Sequence, residues 1–171
     1  MKPIRFKSVL VKPDAASGWH FIRIEAKIGE KFEKNHGSRR VVCTINGSES
    51  FQCALLPSDG DFVIVVNKAK RNNLGITDGD KIDVELKQDD SKYGLPMPEE
   101  LQEVLNQDPE GDKLFHDLTP GKQRSMLHFI NKIKDVDRRI HTSLIFIDHL
   151  KRNDGKLLHE ELHDELKRPV L

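Results

Sequence analysis

The chain is 171 residues long, 36% apolar and 33% charged, with 28 basic and 28 acidic side chains and a formal net charge of zero. That balance argues against a dedicated nucleic-acid binder, which carries a basic excess, and no uninterrupted apolar run reaches the length of a membrane span. The two cysteines, Cys43 and Cys53, form no CxxC pair, which removes a zinc ribbon and a thioredoxin-type redox centre.

The opening segment, MKPIRFKSVLVKPD, holds no apolar core of signal-peptide length, so a cytoplasmic protein with reduced thiols and no membrane insertion is expected. From there to about residue 95 the chain follows the grammar of strands. Ile4 to Val11 is rich in branched side chains and runs into Pro13-Asp14, and Trp19 to Ala26 forms a second strand. Glu30 to Asn35 reads as a short helix. Val41 to Ile45 and Phe51 to Leu56 flank Asn46-Gly47, a hairpin signal because both turn positions favour φ > 0. Pro57-Ser58-Asp59-Gly60 turns the chain into Phe62 to Val66, a continuous apolar run that fits a strand buried on both faces. Leu74-Gly75-Ile76 then leads into Thr77-Asp78-Gly79-Asp80, where Gly79 supplies the positive φ of a tight turn and Asp80 is placed to accept from backbone N–H groups. Ile82, Val84 and Leu86 alternate with charged residues, as in a strand with one wet face. Many short strands joined by Gly, Pro and Asn turns predict a small closed β-barrel of six or seven strands.

From Pro96 the period becomes helical. Pro98-Glu99-Glu100 places a proline and two acids in a first turn, with Leu101, Val104 and Leu105 as the apolar stripe. Thr119-Pro120 is an N-cap followed by proline at the first helical position, and Leu127, Ile130 and Ile133 recur behind it. Ile140, Leu144, Ile147 and Leu150 form another stripe, stopped at Asn153-Asp154-Gly155. Leu158, Leu162 and Leu166 mark a last, highly charged helix. The fold class is therefore α+β, with a β-barrel over 1–95 and three or four helices over 96–171. The two halves carry opposed charge, 16 basic against 13 acidic residues in the first and 12 against 15 in the second.

Several ordered pieces carry a family resemblance: Gly18-Trp19-His20-Phe21, the Arg39 to Gly47 strand and turn, Asp59-Gly60, Val66-Asn67-Lys68-Ala69-Lys70-Arg71, Leu74-Gly75, Gly79-Asp80 and Leu95-Pro96-Met97-Pro98. Over nearly its whole length the chain resembles the bacterial YdeI/OmpD-associated family, with its N-terminal domain of unknown function (family number nineteen-oh-five). The resemblance implies a double-split β-barrel, distantly similar to the AbrB-type barrels of transcription factors, followed by a helical tail. In the family that tail carries a Thr-Arg-x-x-Arg-Ile-like segment. The matching stretch here, Asp135-Val136-Asp137-Arg138-Arg139-Ile140, lacks the threonine and has shorter spacing. Family members are labelled as bacteriocin-protection proteins, and the label brings no catalytic residues with it.

Five groups of residues could carry chemistry. Lys68, Lys70 and Arg71, with Arg39 and Arg40 elsewhere in the barrel half, could pair with phosphates of DNA or of a small anion; the plain alternative is a solvated face balanced by Asp59, Asp61, Asp78 and Asp80. Arg138 and Arg139 open a helix, where positive charge opposes the dipole, and would be better placed reaching a ligand anion; the plain alternative is salt bridging to Asp135, Asp137 or the barrel. His159-Glu160-Glu161-Leu162-His163 is formally HExxH, so His159 and His163 could ligate zinc with Glu160 activating a water, yet its neighbours are those of a solvated tail helix and metal binding there is expected to be adventitious. Cys43 and Cys53 are either a redox pair or ordinary buried strand residues. Trp19, His20 and Phe21 either line a cleft or fill the core. GxGxxG and GxxxxGK[ST] are absent, so dinucleotide and P-loop chemistry have no footing.

The resulting expectation is a non-catalytic binding module that uses no cofactor and recognises a small anionic ligand or a protein partner. Lys68, Lys70, Arg71, Arg138 and Arg139 are its candidate ligand-binding residues, at a site where the barrel turn meets the helical tail. A DNA-binding regulator of the AbrB-like type is the alternative, and a zinc hydrolase built on His159, Glu160 and His163 the remote one.

Overall fold

A computed structural model of the chain describes residues 1–12, 19–35 and 37–169. Pro13-Asp14 and Gly18 lie outside the described residues. The chain divides into two compact units, Met1–Asp90 and the segment from Ser91 onward.

The first unit contains β1 (Ile4–Val11), β2 (Phe21–Ile24), α1 (Ala26–Gly29), β3 (Lys34–Asn35), β4 (Ser38–Ile45), β5 (Phe51–Ser58), β6 (Asp61–Val65), α2 (Lys68–Leu74) and β7 (Lys81–Gln88). Its strands join in the order β3-β4-β5-β6-β2-β1-β7, and a further pairing of β4 with β7 closes six of them into a barrel. Every pairing is antiparallel. β3 stands outside the ring, held on the start of β4 through Lys34↔Arg39 and Asn35↔Ser38.

Two strands change partner midway. β1 pairs with β7 from Ile4 to Val9 and with β2 at Leu10 and Val11. β5 pairs with β4 from Phe51 to Leu55 and with β6 from Leu56 to Ser58. Because alternate side chains face opposite ways, the inward set is branched and apolar: Ile22 and Ile64 face each other across β2–β6, as do Cys43 with Leu86 and Ile45 with Val84 across β4–β7. All six are buried.

The turns show how far local sequence reaches. Asp59 (φ 48°) and Gly60 (φ 81°) make the two-residue turn that pairs Ser58 with Asp61. Asn46 (φ 52°) and Gly47 (φ 68°) also adopt the conformation their sequence favours. That turn serves a second neighbour too, since the Asn46 N–H donates to the Asp83 carbonyl (2.8 Å) and its Oδ1 accepts from the Asp83 N–H (2.9 Å). β5 accordingly rejoins β4 only at Cys43↔Phe51. Asp80 closes its turn as expected, with Oδ2 accepting the Thr77 N–H at 2.8 Å.

The short helix lies earlier than the sequence indicates. Ala26–Gly29 is helical, whereas Lys34–Asn35, expected inside a helix, is extended and paired with β4. The Ala26 N–H is held by Asp61 Oδ1 at 2.9 Å, so a partner distant in sequence starts the helix. Gly29 lets it lie against the Phe62 ring, where a Cβ would collide with the ring carbons. Trp19, expected as a cleft or core residue, is 60% exposed, while its neighbour His20 is buried.

The second unit contains five helices among its described residues: α3 (Glu99–Gln107), α4 (Pro109–Asp117), α5 (Pro120–Asn131), α6 (Val136–Arg152) and α7 (His159–Leu166). The three or four expected from the sequence omitted α4. In α4 Pro109 takes the first helical position and Asp108 caps the helix by accepting the Gly111 N–H at 2.9 Å. Gly111 is buried where α4 meets α6, and a Cβ there would overlap the Ile147 side chain. Asp135 caps α6 in the same way, accepting the Arg138 N–H at 3.0 Å. The core gathers Leu101 and Leu105 of α3, Phe115 of α4, Met126, Leu127 and Ile130 of α5, Phe146, Ile147 and Leu150 of α6 and Leu162 of α7.

Candidate functional site

The basic residues expected to bind an anion are largely engaged within their own units. On α2, Asn67 caps the helix by accepting the Lys70 N–H at 2.9 Å. Arg71 Nη1 donates to the Val66 carbonyl at 2.7 Å, so its guanidinium ties the helix to the end of β6. Lys70 Nζ sits 5.0 Å from the Phe51 ring centroid, a cation–π contact beside a shallow pocket of about 360 Å³ that also contains Glu49 and Asn73. Lys68 is exposed. The acids expected to balance this cluster work elsewhere: Asp61 on Arg23 and the Ala26 N–H, Asp80 on its own turn, and Asp78 3.8 Å from His20. Arg39, also in this unit, lies over the Phe62 ring at 5.3 Å.

Arg138 and Arg139 belong to the other unit. Arg138 occupies the first turn of α6, and Arg139 Nη2 reaches Glu100 Oε2 of α3 at 3.3 Å with both side chains mostly buried. Its acidic partner is therefore neither Asp135 nor Asp137, because Asp135 is spent on the cap. Lys68, Lys70 and Arg71 come together on one helix, and Arg138 and Arg139 on another.

His159, Glu160 and His163 lie on α7 and all three are exposed. Among the described residues no group of three His, Cys, Asp or Glu side chains is placed to hold a metal ion. The buried face of α7 carries Leu162 and Glu165 instead. Glu165 joins two residues of α6: Oε1 accepts from Arg152 Nη2 at 2.9 Å, and Oε2 lies 3.3 Å from Nδ1 of the fully buried His149. His149 Nε2 accepts the Leu158 N–H at 3.0 Å, which puts the imidazole proton on Nδ1, facing the carboxylate. Hydrogen bonds to Glu165 and then Asp148 hold the Arg152 guanidinium above its ordinary range. The HExxH letters thus overlie a helix whose buried contacts are structural.

The Cys43 thiol is pushed far above the ordinary range, first by its hydrogen bond to Cys53 and then by burial, so it is a poor nucleophile. Both cysteines are free. A second polar chain, unmarked in the sequence apart from a helical Asp-to-His spacing, links Tyr93, His116 and Asp112. His116 Nδ1 lies 2.9 Å from the Asp112 carbonyl, which fixes its proton there, so Nε2 accepts the Tyr93 hydroxyl at 2.8 Å.

What the sequence missed is a groove of about 580 Å³ between α3 and α6. Glu99, Glu100, Glu103, Val104, Gln107 and Asp108 form one wall and Val136, Ile140 and Leu144 the other. Ile140 and Leu144 were read with Ile147 and Leu150 as one core stripe, but the structure splits them. Ile147 and Leu150 are buried with Phe146, whereas Val136, Ile140 and Leu144 are 56%, 39% and 50% exposed. They sit at successive i, i+4 positions on the flank of α6, forming a row along the groove. Among the described residues no basic side chain lines it. Asp108 at its end is held below the usual carboxylate range by the Gly111 N–H and then by Lys151 at 2.9 Å. By contrast, a groove of about 550 Å³ on the barrel unit has mixed charge, with Arg5 and Glu85 already paired at 2.6 Å. Among the described residues the α3–α6 groove offers carboxylates and apolar contact, and no histidine, serine or cysteine. No helix among the described residues is long and apolar enough to cross a membrane.

Comparison with known families places this geometry. Residues 6–86 match the family described as Domain of unknown function (DUF1905), which takes in the barrel and α2. Residues 95–153 match the family described as Bacteriocin-protection, YdeI or OmpD-Associated, which takes in both walls of the groove. No curated protein matches the chain.

Proposed function

We propose, for a chain that belongs to the YdeI/OmpD-associated family and carries the DUF1905 domain at its front, that it is a non-catalytic binding module whose ligand is a protein partner seated in the α3–α6 groove. The observation that carries this reading is the row Val136, Ile140 and Leu144, three large apolar side chains exposed together on one helix flank. Scattered exposed apolar residues are ordinary, but a contiguous row along a groove rimmed with polar groups is what partner recognition uses. The small-anion form of the reading has less support, since Arg71 is spent on the Val66 carbonyl and Arg139 on Glu100. A cytoplasmic setting fits the two free thiols.

Display selection of random peptides on the native chain tests the reading. Enriched peptides are expected to lose binding to Leu144→Glu and to keep it with Leu56→Glu, a control at an equally exposed leucine on the barrel unit. Peptides that bind the Leu144→Glu chain undiminished would place recognition elsewhere.

A further inference from the structure

Building on the groove reading, we infer that the occupant of the α3–α6 groove is a basic amphipathic helix, with apolar side chains on the Val136–Ile140–Leu144 row and Lys or Arg reaching the carboxylates of Glu99 and Glu103. Three features of the site select this chemistry over other occupants.

The first is shape. The apolar row spans nine residues of α6, about 12 Å of helix axis, and Val104 faces it from α3. Two helix surfaces form a groove whose ridges accept a third helix, which then presents its own apolar side chains at i, i+4 and i+8. The described residues of this unit contain no strand, so there is no sheet edge onto which an extended peptide could add.

The second is charge. Among the described residues the groove is lined by four carboxylates and no cation. Two of the four are already answered within the unit, Glu100 by Arg139 and Asp108 by Lys151. Glu99 and Glu103 have no cationic partner among the described residues; Glu103 accepts only from the neutral amide of Gln107, one turn on. Both are exposed and stand one turn apart on the α3 wall. Cations on the flank of an incoming helix would complement them.

The third is the exclusion of a second copy. A two-fold pairing of this face with itself would gather the Glu99 and Glu103 carboxylates of both chains into one interface whose described lining residues include no cation to answer them, which opposes association. The apolar row alone would allow self-association; the acidic wall opposes it.

The test uses the full native chain and two synthetic helical peptides of about four turns. They share one leucine pattern, and their flanks carry Lys in one and Glu in the other. Fluorescence anisotropy is expected to show the Lys peptide binding about tenfold more tightly, the scale of two partly screened charge pairs, with the preference shrinking as salt is raised. A Glu99→Gln/Glu103→Gln double variant keeps the leucine-driven binding and loses most of the preference. Equal binding of the two peptides, with both lost in Leu144→Glu, would overturn the basic-helix assignment and leave the groove reading standing. Failure of both peptides to bind would overturn both readings. Sedimentation showing a dimer that Leu144→Glu dissolves would make a second copy the occupant and overturn the inference.

Discussion

The barrel unit and the helical unit satisfy the same physical demands in opposite ways. In the barrel, each strand of the ring is hydrogen-bonded on both sides, and the polar ties outside the ladders also join residues far apart in sequence: Arg5 to Glu85, Asn46 to Asp83, and the Ala26 N–H to Asp61. In the helical unit most backbone bonding is local, with Asp108, Thr119 and Asp135 each capping its own helix. Its tertiary order comes from side-chain packing and from the Arg152–Glu165–His149 chain, in which Glu165 and His149 are buried. Closure consumes the hydrogen-bonding edges of a sheet. A helix has no edge to close, and α6 with 17 residues outruns the 8 or 9 of its neighbours α3, α4 and α7, so part of its apolar circumference stays uncovered. That uncovered flank is where the proposed partner would sit.

The contrast can be challenged from the strongest contact downward. Phe115→Ala empties the centre of the helical core, where the ring is fully buried, and is expected to cost about 4 kcal/mol in urea denaturation. A loss well below that would mean the helical core tolerates cavities that a packed core does not. Glu165→Ala removes the acceptor shared by Arg152 and buried His149 and should cost about 3 kcal/mol, with Glu165→Gln costing less because it keeps an acceptor oxygen. Equal losses for the two variants would show that packing, and not the polar chain, joins α7 to α6.

A smaller effect concerns pH. Asp108 titrates below its unfolded value because the Gly111 N–H and Lys151 favour the carboxylate. The stabilisation is therefore present above the usual carboxylate range, near about pH 4, and is lost as pH falls through the lower folded value. Asp108→Asn, which keeps a capping oxygen but cannot ionise, is expected to lower stability at neutral pH, leave it nearly unchanged below the folded value, and so flatten the acid limb of the stability curve. An unaltered acid limb would show that the cap is no source of the acid sensitivity. Smallest of all, Leu144→Ser is expected to change stability by no more than about 0.5 kcal/mol, since the side chain is half exposed. A large loss there would mean that Leu144 holds the unit together, removing the contrast between its covered and uncovered flanks.

Much of this molecule was written locally. The alternation of Ile82, Val84 and Leu86, the apolar run from Phe62, the Asp59-Gly60 and Gly79 turns and the Thr119-Pro120 start each depend on neighbours a few residues away, and each formed as its pattern indicated. Partnership and coverage were settled only by the tertiary fold. Asp61 starts α1 ahead of its expected position; Gly111, a breaker by propensity, is required where α4 meets Ile147; Arg139 finds Glu100 and not an acid of its own helix. The row from Val136 to Leu144 is periodic enough to be read as core, yet periodicity says only that a helix has an apolar face. How much of that face is buried depends on which helices pack against it and how long they are, and no short window of sequence contains that information.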